Sequence, residues 1–108
     1  MGDTVLDSLL ATRTRRGAGY LTLLDPDRLS IEELEQRAEL CVDAGADAIL
    51  IGTSLMFSAR YAECFARVKE RVNVPVISFP GGAGQVVPTA DAILFLSMIS
   101  GRNPELLI

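Results

Sequence analysis

Four short apolar runs, at residues 20–24, 48–51, 74–79 and 92–96, constrain the fold of this chain more than any other feature. Each is an almost unbroken hydrophobic stretch, the pattern of a strand buried on both faces of a parallel sheet. Parallel neighbours need a crossover between them, and the first two gaps each carry helical spacing. Ser30, with Glu33 three residues later, forms a capping box. Ile31, Leu34, Ala38, Leu40 and Cys41 then recur at helical intervals, and Gly45 supplies a left-handed stop. Residues 59–71 predict a second such helix with Cys64, Phe65 and Val68 inward. Ahead of the first run, residues 5–16 read as an amphipathic helix with Val5, Leu6, Leu9 and Leu10 on one side, ended by Gly17 and Gly19. After the fourth run, Asn103 as cap and Pro104 at the first helical position open a further helix.

The third connection, residues 80–89, is too short for a full crossover helix and predicts a single turn around residues 85–87. Neighbouring strands that follow in chain order favour a barrel over a doubly wound sheet. Four such units make half of an eight-stranded barrel, whose usual length is roughly 250 residues. A half barrel has two raw parallel edges, which invite pairing with another chain or a second copy. Ala46-Asp47-Ala48-Ile49-Leu50 recurs as Ala90-Asp91-Ala92-Ile93-Leu94. Both copies sit where a strand begins, so Asp47 and Asp91 are expected at the amino-terminal rim as structural caps.

Composition narrows the function classes. A hydrophobic fraction of 49% and a mean hydropathy of +0.32 rule out a disordered segment. No uncharged apolar run reaches the length of a membrane span. The start of the chain lacks a basic and apolar leader, and Leu6 does not fit a myristoylation motif at Gly2, so the expected location is cytoplasmic. The net charge of -4, with no basic stripe, argues against nucleic acid. Arg13, Arg15 and Arg16 suit a solvated helix end, where cations are favoured. With no histidine and no CxxC, neither an imidazole or thiolate metal site nor histidine base catalysis has support. Cys41 and Cys64 fall in helical apolar patterns as small core residues.

Chemistry concentrates where strands end. In Tyr20-Leu21-Thr22-Leu23-Leu24-Asp25-Pro26-Asp27 the first strand runs into a carboxylate, and Pro26 stops the ladder there. Strand carboxyl ends are where α/β proteins place ligands. Asp25 with the Ser54 hydroxyl, from Gly52-Thr53-Ser54 after the adjacent strand, makes a thin protein shell of the kind Mg2+ accepts. The alternative is an Asx-turn at Asp25 with Asp27 leading into the helix. Pro80-Gly81-Gly82-Ala83-Gly84-Gln85 matches neither phosphate-loop pattern, yet can offer backbone N–H groups to an anion. Arg102 is placed to meet a diphosphate and Asn103 to orient it, with helix capping an equal reading of Asn103. Leu55, Met56 and Phe57 are candidates for a hydrocarbon-lined groove.

These same stretches resemble the geranylgeranylglyceryl phosphate synthases, a family that includes heptaprenylglyceryl phosphate synthases. The resemblance rests on residues 21–27, 46–54, 75–81 and 90–104, in the family's order and spacing, and it covers about the first half of a family member. It implies the amino-terminal half of a (β/α)8 TIM barrel, with residues 1–108 as one partial barrel domain. It also implies transfer of a polyprenyl diphosphate to the 3-hydroxyl of sn-glycerol 1-phosphate, with Mg2+ held by Asp25 and Ser54. Thr53, Gly81, Arg102 and Asn103 are the further substrate-binding candidates. The resemblance puts the general base and the glycerol-phosphate site beyond residue 108. Arg28 stands where many members have lysine, Thr53 replaces a frequent glycine, and Gly82 and Gly84 lie in a loop less polar than usual. Two other readings fit the same residues. One is a non-catalytic half-barrel assembly module, and the other is a small phosphate-binding α/β domain.

Overall fold

The computed structural model describes residues 4–52, 58–80 and 87–94. Helix α1 (Val5–Arg16) leads into β1 (Leu21–Leu24). Then follow α2 (Ile31–Asp43), β2 (Ala48–Ile51), α3 (Ser58–Arg71), β3 (Val76–Ser78) and β4 (Ala92–Ile93). All neighbouring strands are parallel, in the order β1-β2-β3-β4, which is the arrangement of an incomplete (β/α) barrel.

The helix boundaries have local causes. Thr4 and Asp7 form a capping box for α1, as Ser30 and Glu33 do for α2. The hydrogen bonds from Ser30 hold the Glu33 carboxyl below the usual range. Gly17 ends α1 with a positive φ of 89°. Gly45, at φ 108°, follows the Ala44 cap of α2, and the Gly45 and Ala46 N–H groups donate to the Val42 and Cys41 carbonyls. That pair of bonds is a Schellman closure, so the expected glycine stop is present one position past the cap.

Helices α2 and α3 pack together on one sheet face. Ile49, Ile51 and Val76 meet Leu34, Ala38, Tyr61, Phe65 and Val68 there, all fully buried. Cys64 joins this core, and burial pushes its thiol pKa up. The α2–α3 seam is closed by charge. Arg67 Nε donates to Glu35 Oε1 at 2.5 Å, and Arg71 Nε lies 2.7 Å from Glu39 Oε1. The hydrogen bond from Arg67 to the buried Glu35 raises the guanidinium's pKa.

The repeated Ala-Asp-Ala-Ile-Leu segments act as twin clamps. Asp47 Oδ2 accepts the Tyr20 N–H at 2.8 Å, and the Asp47 N–H donates to the Tyr20 carbonyl at 2.7 Å. Asp91 repeats this on Val76, at 2.8 and 2.9 Å. Each aspartate also binds a cation from an earlier helix, Arg16 at 2.7 Å and Lys69 at 3.0 Å. Both sit at the amino-terminal rim as expected, fastening each strand to its predecessor.

Several expectations need correction. Helix α1 does not bury its leucines: Leu6 is 64% exposed and Leu10 41%, while Thr12 is buried and donates to the Ser8 carbonyl. Leu40 on α2 is exposed rather than inward. Strand β3 is shorter than residues 74–79, although the Pro75 carbonyl and the Phe79 N–H still bond to β2. Of the fourth run, Ala92 and Ile93 form strand and residues 95–96 lie outside the described residues. Residues 85 and 86 of the expected turn around 85–87 lie outside the described residues; a turn follows them, in which the Val87 carbonyl accepts the Ala90 N–H. The helix predicted from Asn103 lies outside the described residues.

Candidate active-site rim

The carboxyl ends of the strands stand level because the ladder is in register, with Leu24 beside Ile51, Ile51 beside Ser78 and Ser78 beside Ile93. Beyond them Gly52 donates its N–H to the Leu24 carbonyl, Phe79 to Ile51, and Leu94 to Ser78. Asp25, Gly52, Phe79 and Leu94 therefore follow the strand ends along one rim. Gly52 belongs there for steric reasons. A β-carbon would lie 2.9 Å from the Phe79 Cβ and inside the envelope of its carbonyl oxygen.

Pro26 is fully buried and turns the chain, leaving Asp25 half-buried. Asp25 Oδ1 accepts the Asp27 N–H at 2.9 Å, and its backbone carbonyl accepts the Arg28 N–H at 3.1 Å. Asp25 Oδ2 lies 3.6 Å from Arg28 Nε, on a side chain that is 38% exposed. The Asx-turn reading of Asp25 is thus realised, and Asp27 leads into the α2 cap. The turn fixes the carboxylate at the rim while using one oxygen; the other faces a loosely held cation.

Beneath Gly52 is a polar node that the sequence reading missed. Tyr61 is fully buried, and its hydroxyl donates to the Ile51 carbonyl at 2.5 Å and lies 3.2 Å from Ser78 Oγ. Burial raises the phenol's pKa. Its ring packs edge-on against Phe65, with centroids 5.1 Å apart. The missed signal was spacing, because Tyr61 precedes Cys64 and Phe65 by three and four residues.

Thr53, Ser54, Gly81, Arg102 and Asn103 lie outside the described residues, as do Leu55, Met56 and Phe57. Among the described residues no group of three or more His, Cys, Asp or Glu could hold a metal ion. A single half-exposed carboxylate still fits the thin protein shell that Mg2+ takes when phosphate and water supply the other oxygens. Two clefts open at the other end of the sheet. One is lined by Glu39, Asp43, Glu70 and Arg71 at the helix ends, and the other separates Thr4 and Ser8 of α1 from Asn73, Pro75 and Asp91. Both belong to the amino-terminal rim, which serves stability in barrels of this kind.

Comparison with known proteins settles the lineage. The PcrB family matches residues 11–108. This chain belongs to that family. Geranylgeranylglyceryl phosphate synthase of Chitinophaga pinensis is 37% identical over 108 residues, which is 100% of this chain and 43% of that protein. The synthase of Flavobacterium johnsoniae is 42% identical over 86 residues, covering 80% of this chain and 35% of that protein. The crystal structure of (S)-3-O-geranylgeranylglyceryl phosphate synthase from Thermoplasma acidophilum, in complex with sn-glycerol-1-phosphate, superposes with a TM-score of 0.89 at 34% identity. That match covers 98% of this chain and 43% of the other. The chain therefore spans less than half the length of the PcrB-family relatives it matches, and corresponds roughly to their amino-terminal half.

Proposed function

We propose that this chain supplies the diphosphate-side half of a prenyltransferase site. The parent reaction joins a polyprenyl diphosphate to the 3-hydroxyl of sn-glycerol 1-phosphate and releases diphosphate. The observation that carries this reading is Asp25, held by its own turn at the carboxyl end of β1 in a chain matched along its whole length by synthases. Asp25 is the residue to hold Mg2+, with Ser54 as its proposed partner. The ion, when bound, supplies positive charge to the departing diphosphate.

The chain's own part is then positional. The Asx-turn keeps the Asp25 carboxylate on the rim, and the Tyr61 hydroxyl anchors the end of β2 directly ahead of Gly52-Thr53-Ser54. Thr53, Gly81, Arg102 and Asn103 are proposed to contact substrate. A relative's structure with sn-glycerol-1-phosphate supports that acceptor for the complete enzyme.

Asp25→Ala should remove Mg2+-dependent binding of geranylgeranyl diphosphate, read by calorimetry with and without the ion, while leaving the circular dichroism spectrum intact. Unchanged metal-dependent affinity takes Asp25 out of the site. Turnover by the 108-residue chain alone should be weak or absent in a radiolabelled prenyl-transfer assay. A rate near that of the full-length relatives would show that the acceptor site and base are already within this chain.

A further inference from the structure

The last rung between β2 and β3 pairs Ile51 with Ser78, and both are fully buried. Two residues earlier, on the same face, the pair is Ile49 with Val76, which is wholly apolar. A serine in such a layer costs stability unless its hydroxyl is bonded, and Tyr61 brings a second such group to it. The two hydroxyls meet. Tyr61 Oη donates to the Ile51 carbonyl at 2.5 Å and lies 3.2 Å from Ser78 Oγ. A phenol has one proton, so once that proton is given to Ile51 the serine is the donor of the second bond. The bonds therefore run from β3, through the α3 phenol, to β2. The Ile51 carbonyl also accepts the Phe79 N–H at 2.9 Å, which fills both of its lone pairs. Just past this rung, Gly52 lies so close to the Phe79 carbonyl that a β-carbon would overlap it.

We infer that Tyr61, with Ser78 as its partner, is a positioning residue for two strand ends at once, so that the chain entering Thr53-Ser54 and the chain entering Pro80-Gly81 are held as one unit. The inference deepens the prenyl-transfer reading and rests on it for the claim that these segments meet the ion and the diphosphate. A ring alone would fill this part of the core, as the neighbouring Phe65 does. What the hydroxyl adds is direction, because it fixes α3 to the final rung of both strands. Ligands drawn from different loops must keep their spacing to act together, and a misplacement of about 1 Å can cost about a hundredfold. The opposite rim is fastened by the charged clamps of Asp47 and Asp91. A charged clamp at the carboxyl rim would compete for Mg2+ or repel the diphosphate. The Tyr61–Ser78 pair fastens that rim with neutral groups and leaves the local field to Asp25 and the ion.

The test compares this chain with Tyr61→Phe, Ser78→Ala and the double variant. Tyr61→Phe keeps the ring against Phe65 and deletes only the hydroxyl. In native-state amide exchange, Gly52 and Phe79 should then lose about tenfold more protection than Ile49, whose N–H bonds β2 to β3 at their other end. Ser78→Ala should open the same amides to a smaller extent. The double variant should open them no further than Tyr61→Phe does, because the serine acts through the phenol. Ser78→Ala also carries the test should Tyr61→Phe lose its circular dichroism signal. Magnesium-dependent affinity for geranylgeranyl diphosphate, read by calorimetry, should fall about tenfold in Tyr61→Phe. Equal loss of protection at Ile49, additive losses in the double variant, or unchanged metal-dependent affinity in Tyr61→Phe would each overturn the inference. An unsubstituted chain with no metal-dependent affinity would instead overturn the prenyl-transfer reading, and the exchange rates would still decide whether the two strand ends are fastened together.

Discussion

Thr22 Oγ1 is buried in β1 and has no hydrogen-bond partner among the described residues. An unsatisfied buried hydroxyl costs about 1–3 kcal/mol, and valine matches threonine in shape while favouring a strand. Thr22→Val should therefore stabilise the chain by about 1 kcal/mol in urea unfolding. A loss of stability instead would mean that the hydroxyl is satisfied by a buried water. At this scale the sequence was informative where a residue's role is local. Asp25 followed by Pro26 and Asp27 predicts a turn, and the turn forms with the carboxylate accepting the Asp27 N–H. Tyr61 was harder to read because its hydroxyl finds partners on β2 and β3, which no local pattern announces.

The clamps of Asp47 and Asp91 join elements rather than residues, and they differ in depth. The Asp47 side chain is 10% exposed and that of Asp91 33%. Asp47→Ala leaves the Tyr20 N–H without its acceptor and Arg16 without its ion pair, and should cost about 2–3 kcal/mol. Asp91→Ala removes the same pattern from a wetter site and should cost nearer 1 kcal/mol, since solvent screens its pair with Lys69. Equal losses in urea unfolding would show that depth does not govern the clamp. The repeat itself placed both aspartates at the strand starts. Their cations, from α1 and α3, were invisible because no sequence period links Arg16 to Asp47 or Lys69 to Asp91. Helix α1 shows the same limit. Its apolar spacing was plain, but spacing does not say what covers a stripe, and Leu6 and Leu10 face no described partner strongly enough to be buried.

Across the whole molecule, protection should follow coverage. Strand β2 has a neighbour on each side, and Ala48, Ile49 and Ile51 are fully buried; β3 is similarly enclosed, with Val76, Ile77 and Ser78 buried. Among the described residues β1 has one neighbour and two exposed leucines, and β4 is an edge carrying the exposed Ile93. The barrel half was legible from the order of apolar runs, whereas its uneven coverage was not, because all four runs look equally hydrophobic in sequence. Native-state hydrogen exchange reads that difference. Amides of the central strands exchange through global unfolding, while those at an open edge exchange through local fraying. Bonded amides of β2 and β3 should therefore outlast those of β1 and β4 in the isolated chain. Protection of β1 equal to that of β2 would mean that its edge is already covered. Repeating the measurement at tenfold dilution then separates the causes, since cover by another copy is lost with concentration and cover from within the chain is not.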